Sequence, residues 1–401
     1  MTESLLSSIE MAPRDPILGV TEAFNADPNL KKVNLGVGVY TNDVGKVPLL
    51  ECVKRAEAQL AAAASPRGYL PIDGLATYDK LVQALVFGAD SPVIAEGRAI
   101  TIQALGGTGG LKIGADFIKR FSPDSEVWIS NPSWENHRAL FEAAGFTVKT
   151  YPYYDAASHG VDYSGFLQAL EGAAAGTVIV LHACCHNPSG VDLTDAQWAG
   201  VIEVMARRHL VPFLDLAYQG FSRSISDDGA VVRRFAITGM PLLVSNSFSK
   251  SFSLYGERIG AFNLVAASRD EAQRALSQLK RIVRTNYSNP PAHGAQIVAT
   301  VLGSPELRTL WEEELGGMRD RIKVMRLSFV AKLKTRLPNH DFGFVAQQNG
   351  MFSFSGLTLP QVTRLKSEFS VYAVDSGRIC VAALNTHNLD TVVEALAAVL
   401  S

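Results

Sequence analysis

AITIQALGGTGGLKIGADFIKR, residues 99–120, carries the pattern on which the fold turns. Its first seven residues are a β-rich run, a glycine cluster follows, and LKIGADFIKR then places apolar residues three and four apart, the helical period. The same alternation recurs along the middle of the chain. EVWIS (126–130), FTVKTY (146–151), TVIVLHA (177–183), VPFLDLA (211–217), PLLVSNSF (241–248) and RIGAFNLVA (258–266) read as six further strands. Helical patterns such as HRALFEAAG and DAQWAGVIEVMARR lie between them. Most of these strands are continuous apolar runs, as expected where helices cover both faces of a sheet. The expectation is an α/β fold with a large, mostly parallel seven-stranded sheet flanked by helices.

The last quarter has a different pattern. PELRTLWEEELGGMRDRIKVMRLSFVAKLKTRL (305–337) predicts one long helix with Gly316-Gly317 as a possible bend. GMFSFSG, VYAV and RICVAAL suit a small α+β layer, and LDTVVEALAAVL a closing helix. The boundaries predicted are a large domain over residues 48–316 and a smaller one assembled from 1–47 and 317–401.

A chain of 401 residues is long enough for two to three units of ordinary size. Hydrophobic residues make up 47 % and charged residues 19 %, which excludes a disordered or fibrous chain. The formal charge of −2 gives no global basic field to hold nucleic acid, so an anionic ligand must be held by local cations. Cys52, Cys184, Cys185 and Cys380 are too scattered for a disulfide framework and contain no CxxC, so neither a zinc site nor any other metal is expected. Charged residues interrupt every apolar run before it reaches membrane-spanning length. Glu3 and Glu10 stand where a signal peptide would be apolar. A cytoplasmic protein with reduced thiols is expected.

Gly106-Gly107-Thr108-Gly109-Gly110 sits between strand and helix, where bare backbone N–H groups favour an anion. It fails the dinucleotide fingerprint, which from Gly107 would need glycine where Lys112 stands. Alone it suits a tight turn as well as a phosphate cradle. Lys250, in SNSFSKSFSLYGERIGA (245–261), is either a surface lysine or an amine whose lowered pKa lets it form a Schiff base. Ser247, Ser249 and Arg258 around it supply two hydroxyls and a bidentate fork for one phosphate, which favours the second reading. Asp215 ends an apolar strand: it is a helix cap, or the counter-ion of a protonated pyridine nitrogen, with Tyr218 near the phenolic oxygen of the same ring. CCHNPSG (184–190) and SNPSWENH (130–137) each bring an Asn-Pro turn to a strand end. Asn187 offers an amide and Trp134 a flat surface, while His137 and His186 are also compatible with structural roles.

Taken together the motifs are specific. VNLGVGVY, YLPIDG, GGTGGLK, SNPSWENH, HNPSG, DLAYQGF, SFSKSFSLYGERIGA, VRTNYSNPPAHGA, NGMFSFSGL and GRICVAALN follow in order from about Asp15 to the C-terminus. The chain thereby resembles the class I, fold-type I aminotransferases, in the branch acting on aspartate and aromatic amino acids. The resemblance implies pyridoxal 5'-phosphate as cofactor, with Lys250 as the lysine that carries it and moves the proton. Asp215 matches the partner of the ring nitrogen, with His137 behind it. Asn187 and Tyr218 match donors to the phenolic oxygen, Trp134 the stacked ring, and Ala217 the contact on the opposite face. Gly107, Thr108, Ser247, Ser249 and Arg258 match phosphate ligands, and Tyr69 one supplied by the neighbouring subunit of a homodimer. Arg378 matches the grip on the substrate α-carboxylate. Arg284 matches the arginine that reaches across the dimer to a second carboxylate, and Val37 and Gly38 the segment closing over the substrate.

Gly106 departs from the serine that aspartate enzymes often carry, although other members of the branch also have glycine there. SNSFSKSFSLYGER and PFLDLAYQGF look like the aromatic enzymes, whereas Val39, Thr108 and Asn289 look like the aspartate ones. The implied activity is ping-pong transfer of the amino group from tyrosine, phenylalanine, aspartate or glutamate to 2-oxoglutarate, in a protein with shared active sites and no nucleic-acid or membrane partner. A strict aspartate aminotransferase and another reaction on the same cofactor are the nearer alternatives. A metabolite-sensing regulator would need a DNA-binding module, for which the N-terminal stretch and the balanced charge are not expected to provide.

Overall fold

The computed structural model of the chain describes residues 4, 6–12 and 17–401; Glu3 and Asp15, used above, lie outside these. Seven strands build the central sheet: β1 (Ala99–Leu105), β2 (Val127–Asn131), β3 (Val148–Pro152), β4 (Val178–His182), β5 (Val211–Leu216), β6 (Leu242–Ser247) and β7 (Ile259–Val265). Their order across the sheet is β1-β7-β6-β5-β4-β2-β3. β7 runs antiparallel to both its neighbours, and the other pairings are parallel. Each expected strand is present, within two residues of its expected ends.

The continuous apolar runs have a direct physical cause. Alternate residues of a strand face opposite sides of the sheet, and here both sides are core. Val178 and Val180 of β4 enter one hydrophobic cluster with Phe213, Leu243 and Phe262. Ile179 and Leu181 enter the other, with Leu214, Leu216 and Val244. The helix Gly106–Phe121 covers the first face, and its glycines let it lie close. A Cβ on Gly114 would stand 2.4 Å from Phe213 Cζ and 2.7 Å from Phe262 Cε2.

A third cluster joins Val33 and Leu35 to Met325, Phe329, Val371, Ile379 and the C-terminal helix Leu389–Leu400. Two short pairings sit over it: Val33–Asn34 parallel to Val371–Tyr372, and Phe352–Phe354 antiparallel to Arg378–Cys380. The expected RICVAAL strand is shorter than its apolar run, because Val381–Ala383 turns into a buried 3-10 helix. The long helix Pro305–Arg336 is helical throughout, Gly316-Gly317 included. Ser304 caps its start by accepting from Leu307 N–H, and Pro305 fills the first position. Leu307, Trp311, Leu315, Met318 and Ile322 join the second of the sheet clusters, that of Ile179 and Leu181, and Met325, Phe329 and Leu333 the third.

Candidate active site

In parallel α/β sheets, ligands bind beyond the carboxyl ends of the strands, and the chemistry-bearing residues gather there. Asp215, the fifth residue of β5, is paired in register with His182 of β4 and Ser245 of β6. It is 5 % exposed, so its charge requires a partner. His137, on the helix Glu135–Ala143, supplies one: Nε2 lies 2.9 Å from Asp215 Oδ2, and Nδ1 lies 2.9 Å from Ser133 Oγ. Burial pushes the Asp215 carboxyl up, but the bond to His137 and the nearby positive charges, Lys250 among them, hold it below the usual range. It stays ionised.

Lys250 lies in the turn after β6. Burial lowers its ammonium pKa to about 8, with Arg258 and Arg378 adding to the effect and Asp215 opposing it. Its Nζ is 4.9 Å from the centroid of the Tyr218 ring. A cleft of about 230 Å³ opens here, with Trp134 and Ala217 among its walls and Asn187 and Tyr218 beside them. Gly107, Thr108, Ser247, Ser249 and Arg258 form one corner of it.

That corner explains Gly106. Its φ of +68° is a left-handed conformation that glycine adopts freely, and a Cβ there would meet Arg258 Nη2 at 2.5 Å. The bare backbone lets the guanidinium lie against the start of the helix Gly106–Phe121. Arg258 Nη1 donates to Ser249 Oγ at 3.3 Å and to the Tyr255 carbonyl at 3.1 Å. Three hydroxyls, a guanidinium and a helix N-terminus thus converge on one place, which suits a phosphate dianion.

A second cavity, of about 490 Å³, shares Gly38, Trp134, Asn187, Tyr218 and Lys250 with the cleft and is bounded by Arg378 and Phe352. Arg378 is 1 % exposed. It donates to Asn187 Oδ1 at 3.0 Å and to the Gly36 carbonyl at 2.6 Å, and its Nε has no partner. Its guanidinium carbon lies 4.4 Å from the centroid of the Phe352 ring. Among the described residues it forms no ion pair, so this buried cation can receive a carboxylate.

Two expected residues are elsewhere. Tyr69 is 95 % exposed, and Arg284 is an exposed residue in the last turn of the helix Arg269–Asn286, where it donates to Ser288 Oγ. Neither lines either cavity. Val37 adjoins the cavities only through its neighbour Gly38. His186 bonds Ser130 Oγ and Ser189 Oγ and stacks on Tyr153, and burial with the charge of nearby His137 lowers its pKa to about 3. It has the structural role.

Three residues near the site carry no role in the sequence reading. Tyr255 lines the cleft and accepts the Tyr40 N–H at 2.9 Å. Phe352 underlies Arg378. His182 faces the cleft with Nε2 unpartnered. Tyr255 falls within a quoted motif, between Lys250 and Arg258, and His182 is the one histidine in an otherwise apolar strand. Those were the available signals.

The arrangement defines a class first. A half-buried amine of lowered pKa, an ionised carboxylate, a flat-walled slot and an anion corner suit a phosphorylated, ring-bearing cofactor that reacts with amines. A profile of the family described as aminotransferase class I and II matches residues 30–396, and the chain belongs to that family. It is 60 % identical over 397 residues to an aspartate aminotransferase of Pseudomonas aeruginosa, covering 99 % of this chain and 100 % of that protein. It is 49 % identical over 399 residues to an aromatic-amino-acid aminotransferase of Escherichia coli, with 99 % and 100 % covered. Among solved structures, that of an aromatic-amino-acid aminotransferase from Burkholderia pseudomallei covalently bound to pyridoxal phosphate superposes with a TM-score of 0.97, at 63 % identity and with 100 % of both chains covered.

Proposed function

We propose that this protein is a pyridoxal-phosphate-dependent aminotransferase that moves the amino group of tyrosine, phenylalanine, aspartate and glutamate to 2-oxoglutarate by ping-pong kinetics. One observation carries the reading: Lys250 lines both cavities, sharing the first with Asp215, which His137 binds, and the second with Arg378, which forms no ion pair among the described residues. The residues present fit the cofactor, with the corner of Gly107, Thr108, Ser247, Ser249 and Arg258 for its phosphate, Trp134 and Ala217 for its ring faces, and Asn187 and Tyr218 for its phenolic oxygen.

When bound, pyridoxal phosphate supplies a carbonyl carbon for the amine and a protonated ring that accepts the electron pair left at Cα. Lys250 Nζ, uncharged in part near neutral pH, is the covalent anchor. Once released it would take the proton from the substrate Cα and return it to the cofactor carbon on the far side of the substrate nitrogen. Asp215, kept ionised by His137, holds the proton on the ring nitrogen. Arg378 fixes the α-carboxylate, so that the Cα–H bond is presented to Lys250. Gly38 and Val37 close over the bound substrate.

We further propose a cytoplasmic homodimer in which Tyr69 and Arg284 reach the neighbouring subunit's site, the first to the phosphate and the second to a side-chain carboxylate. Their exposure in the single chain supports this. No helix among the described residues is long and apolar enough to cross a membrane. The domain division at residues 48–316 against 1–47 and 317–401 is part of the proposal, supported by the separate third cluster.

A strict aspartate aminotransferase is the second reading, favoured by the similarity to the Pseudomonas aeruginosa relative. Values of kcat/KM for aspartate and phenylalanine with 2-oxoglutarate, on one preparation, decide between them. Comparable values support dual use, and negligible turnover of phenylalanine leaves the strict enzyme. Carbon dioxide released without matching keto acid would overturn both.

A further inference from the structure

Arg326 is a buried arginine without a carboxylate. It is 2 % exposed, lies in the long helix Pro305–Arg336, and forms no ion pair among the described residues. Burial lowers its pKa to about 10, so it remains charged at neutral pH. An uncompensated buried charge is costly, and here backbone oxygens answer it. Nη1 donates to the Val345 carbonyl at 2.9 Å and to Ser353 Oγ at 2.7 Å. Nη2 donates to the carbonyls of Asn349, Gly350 and Phe352 at 3.3, 2.8 and 2.6 Å. Ser353 Oγ in turn donates to Gln348 Oε1 at 2.6 Å. Four N–H groups on the two terminal nitrogens serve these five oxygens, so one is shared, and Nε has no partner; an ammonium has only three donors for them.

The loop gathered in this way ends in Phe352. The ring of Phe352 lies under the Arg378 guanidinium and meets the Tyr218 ring edge-on, with centroids 5.8 Å apart. It also approaches Gly38 so closely that a Cβ there would stand 2.7 Å from Phe352 Cζ. On the other side, Asn349 N–H donates to the Gly190 carbonyl at 2.7 Å, three residues beyond Asn187, which binds Arg378. The loop therefore contacts Gly38, Tyr218 and Arg378, which come from three separate parts of the chain, and touches the turn that carries Asn187.

We propose that Arg326 is a positioning residue for the substrate carboxylate: by clamping the loop 345–353 it fixes Phe352, and Phe352 sets the plane and height of the Arg378 guanidinium. This rests on the assignment of Arg378 to the α-carboxylate made above. Its effect belongs to binding, because no atom of Arg326 reaches either cavity.

The test uses the holoenzyme and 3-phenylpropionate, a carboxylate with no amine to react, titrated by calorimetry alongside KM and kcat for phenylalanine and aspartate and the melting temperature. Arg326→Lys should weaken 3-phenylpropionate and raise KM for both donors about tenfold, the equivalent of one misplaced charge-assisted contact, and leave kcat within about threefold. Arg326→Met should go further in the same direction. Phe352→Leu, which removes the ring under Arg378 without touching the clamp, should reproduce the shift, and the double variant should add little to it. A lowered melting temperature with unchanged affinity and KM would show Arg326 to be a fold residue alone and overturn the proposal, as would additive losses in the double variant. Should Arg326 variants fail to fold, Ser353→Ala and Phe352→Leu decide, and unchanged affinity in both overturns it. Transamination absent from the wild type would remove the functional reading, yet the titration would still test the clamp. Wild-type protein that binds neither 3-phenylpropionate nor succinate, a carboxylate probe for the strict aspartate reading, would remove the Arg378 assignment, and the inference with it.

Discussion

At Lys250 two opposing fields meet, desolvation lowering the ammonium pKa to about 8 and the Asp215 carboxylate raising it. In cofactor-free protein, modification of Lys250 by a small amine reagent should show a midpoint near pH 8, and Asp215→Asn should move that midpoint down. The same shift bears on stability. Between pH 8 and the ordinary 10.5 the unfolded chain binds more protons at this group than the folded one. Its contribution therefore rises with pH through that window and is an undiminished penalty below it. The two arginines make a second pair of expectations. Arg378→Ala should depress kcat/KM for every donor by about tenfold or more, since each carries an α-carboxylate. Arg284→Ala should do so for aspartate and glutamate and spare phenylalanine; equal losses would defeat its assignment to a second carboxylate. Lys250, Asp215 and Arg258 were legible because their motifs surround them with further candidate partners, Ser247 and Ser249 above all, and residue type alone would not have singled them out. Phe352 and Arg326 were not, since a phenylalanine and an arginine in the last quarter of a chain look like ordinary core and surface until the fold brings them together.

Among the elements, the strands were readable because most are apolar on both faces and so stand out as unbroken runs; β3, with Lys149 and Thr150 exposed, is the exception. That same property hid their arrangement. A strand with two equivalent faces gives no sign of its direction, and nothing in RIGAFNLVA marks β7 as antiparallel. The helix after β1 was legible in period but not in depth. Its closeness to the sheet depends on Gly114, set against Phe213 and Phe262. Gly114→Ala improves helix propensity yet forces two rings apart, and overpacking of this kind costs about 1–3 kcal/mol. Thermal melts should show a loss of several degrees, with KM for aspartate unchanged. A gain in melting temperature would mean that the rings have room to move.

For the molecule as a whole, the proposed dimer, with Tyr69 and Arg284 exposed on each chain, would make the subunit a fraction of an enzyme. This can be read directly by mixing. Lys250→Ala protein should be inactive for want of the amine, and Arg284→Ala protein should be poor with aspartate. If Arg284 serves the opposite subunit, a mixed dimer has one site with both defects and one with neither. A re-equilibrated equal mixture should then recover about a quarter of wild-type aspartate activity, from half the dimers and one site in each. Recovery would be absent if Arg284 served its own subunit. Sequence reading implied this division only by resemblance, since nothing in a single chain distinguishes a residue reaching outward from one that is merely exposed.

The place of β7 has a consequence for how the protein is born. β1 lies at the sheet edge with β7 as its one neighbour, so it leaves the ribosome with no strand to join. At ordinary rates of synthesis its partner follows roughly ten to thirty seconds later. The glycine turn after β1 and Arg258 just before β7 close together, so the phosphate corner is the last part of the sheet to assemble. A nascent chain halted before Ile259 would hold Asp215, Lys250 and Arg258 already in sequence, yet lack the strand that brings Arg258 against the glycine turn.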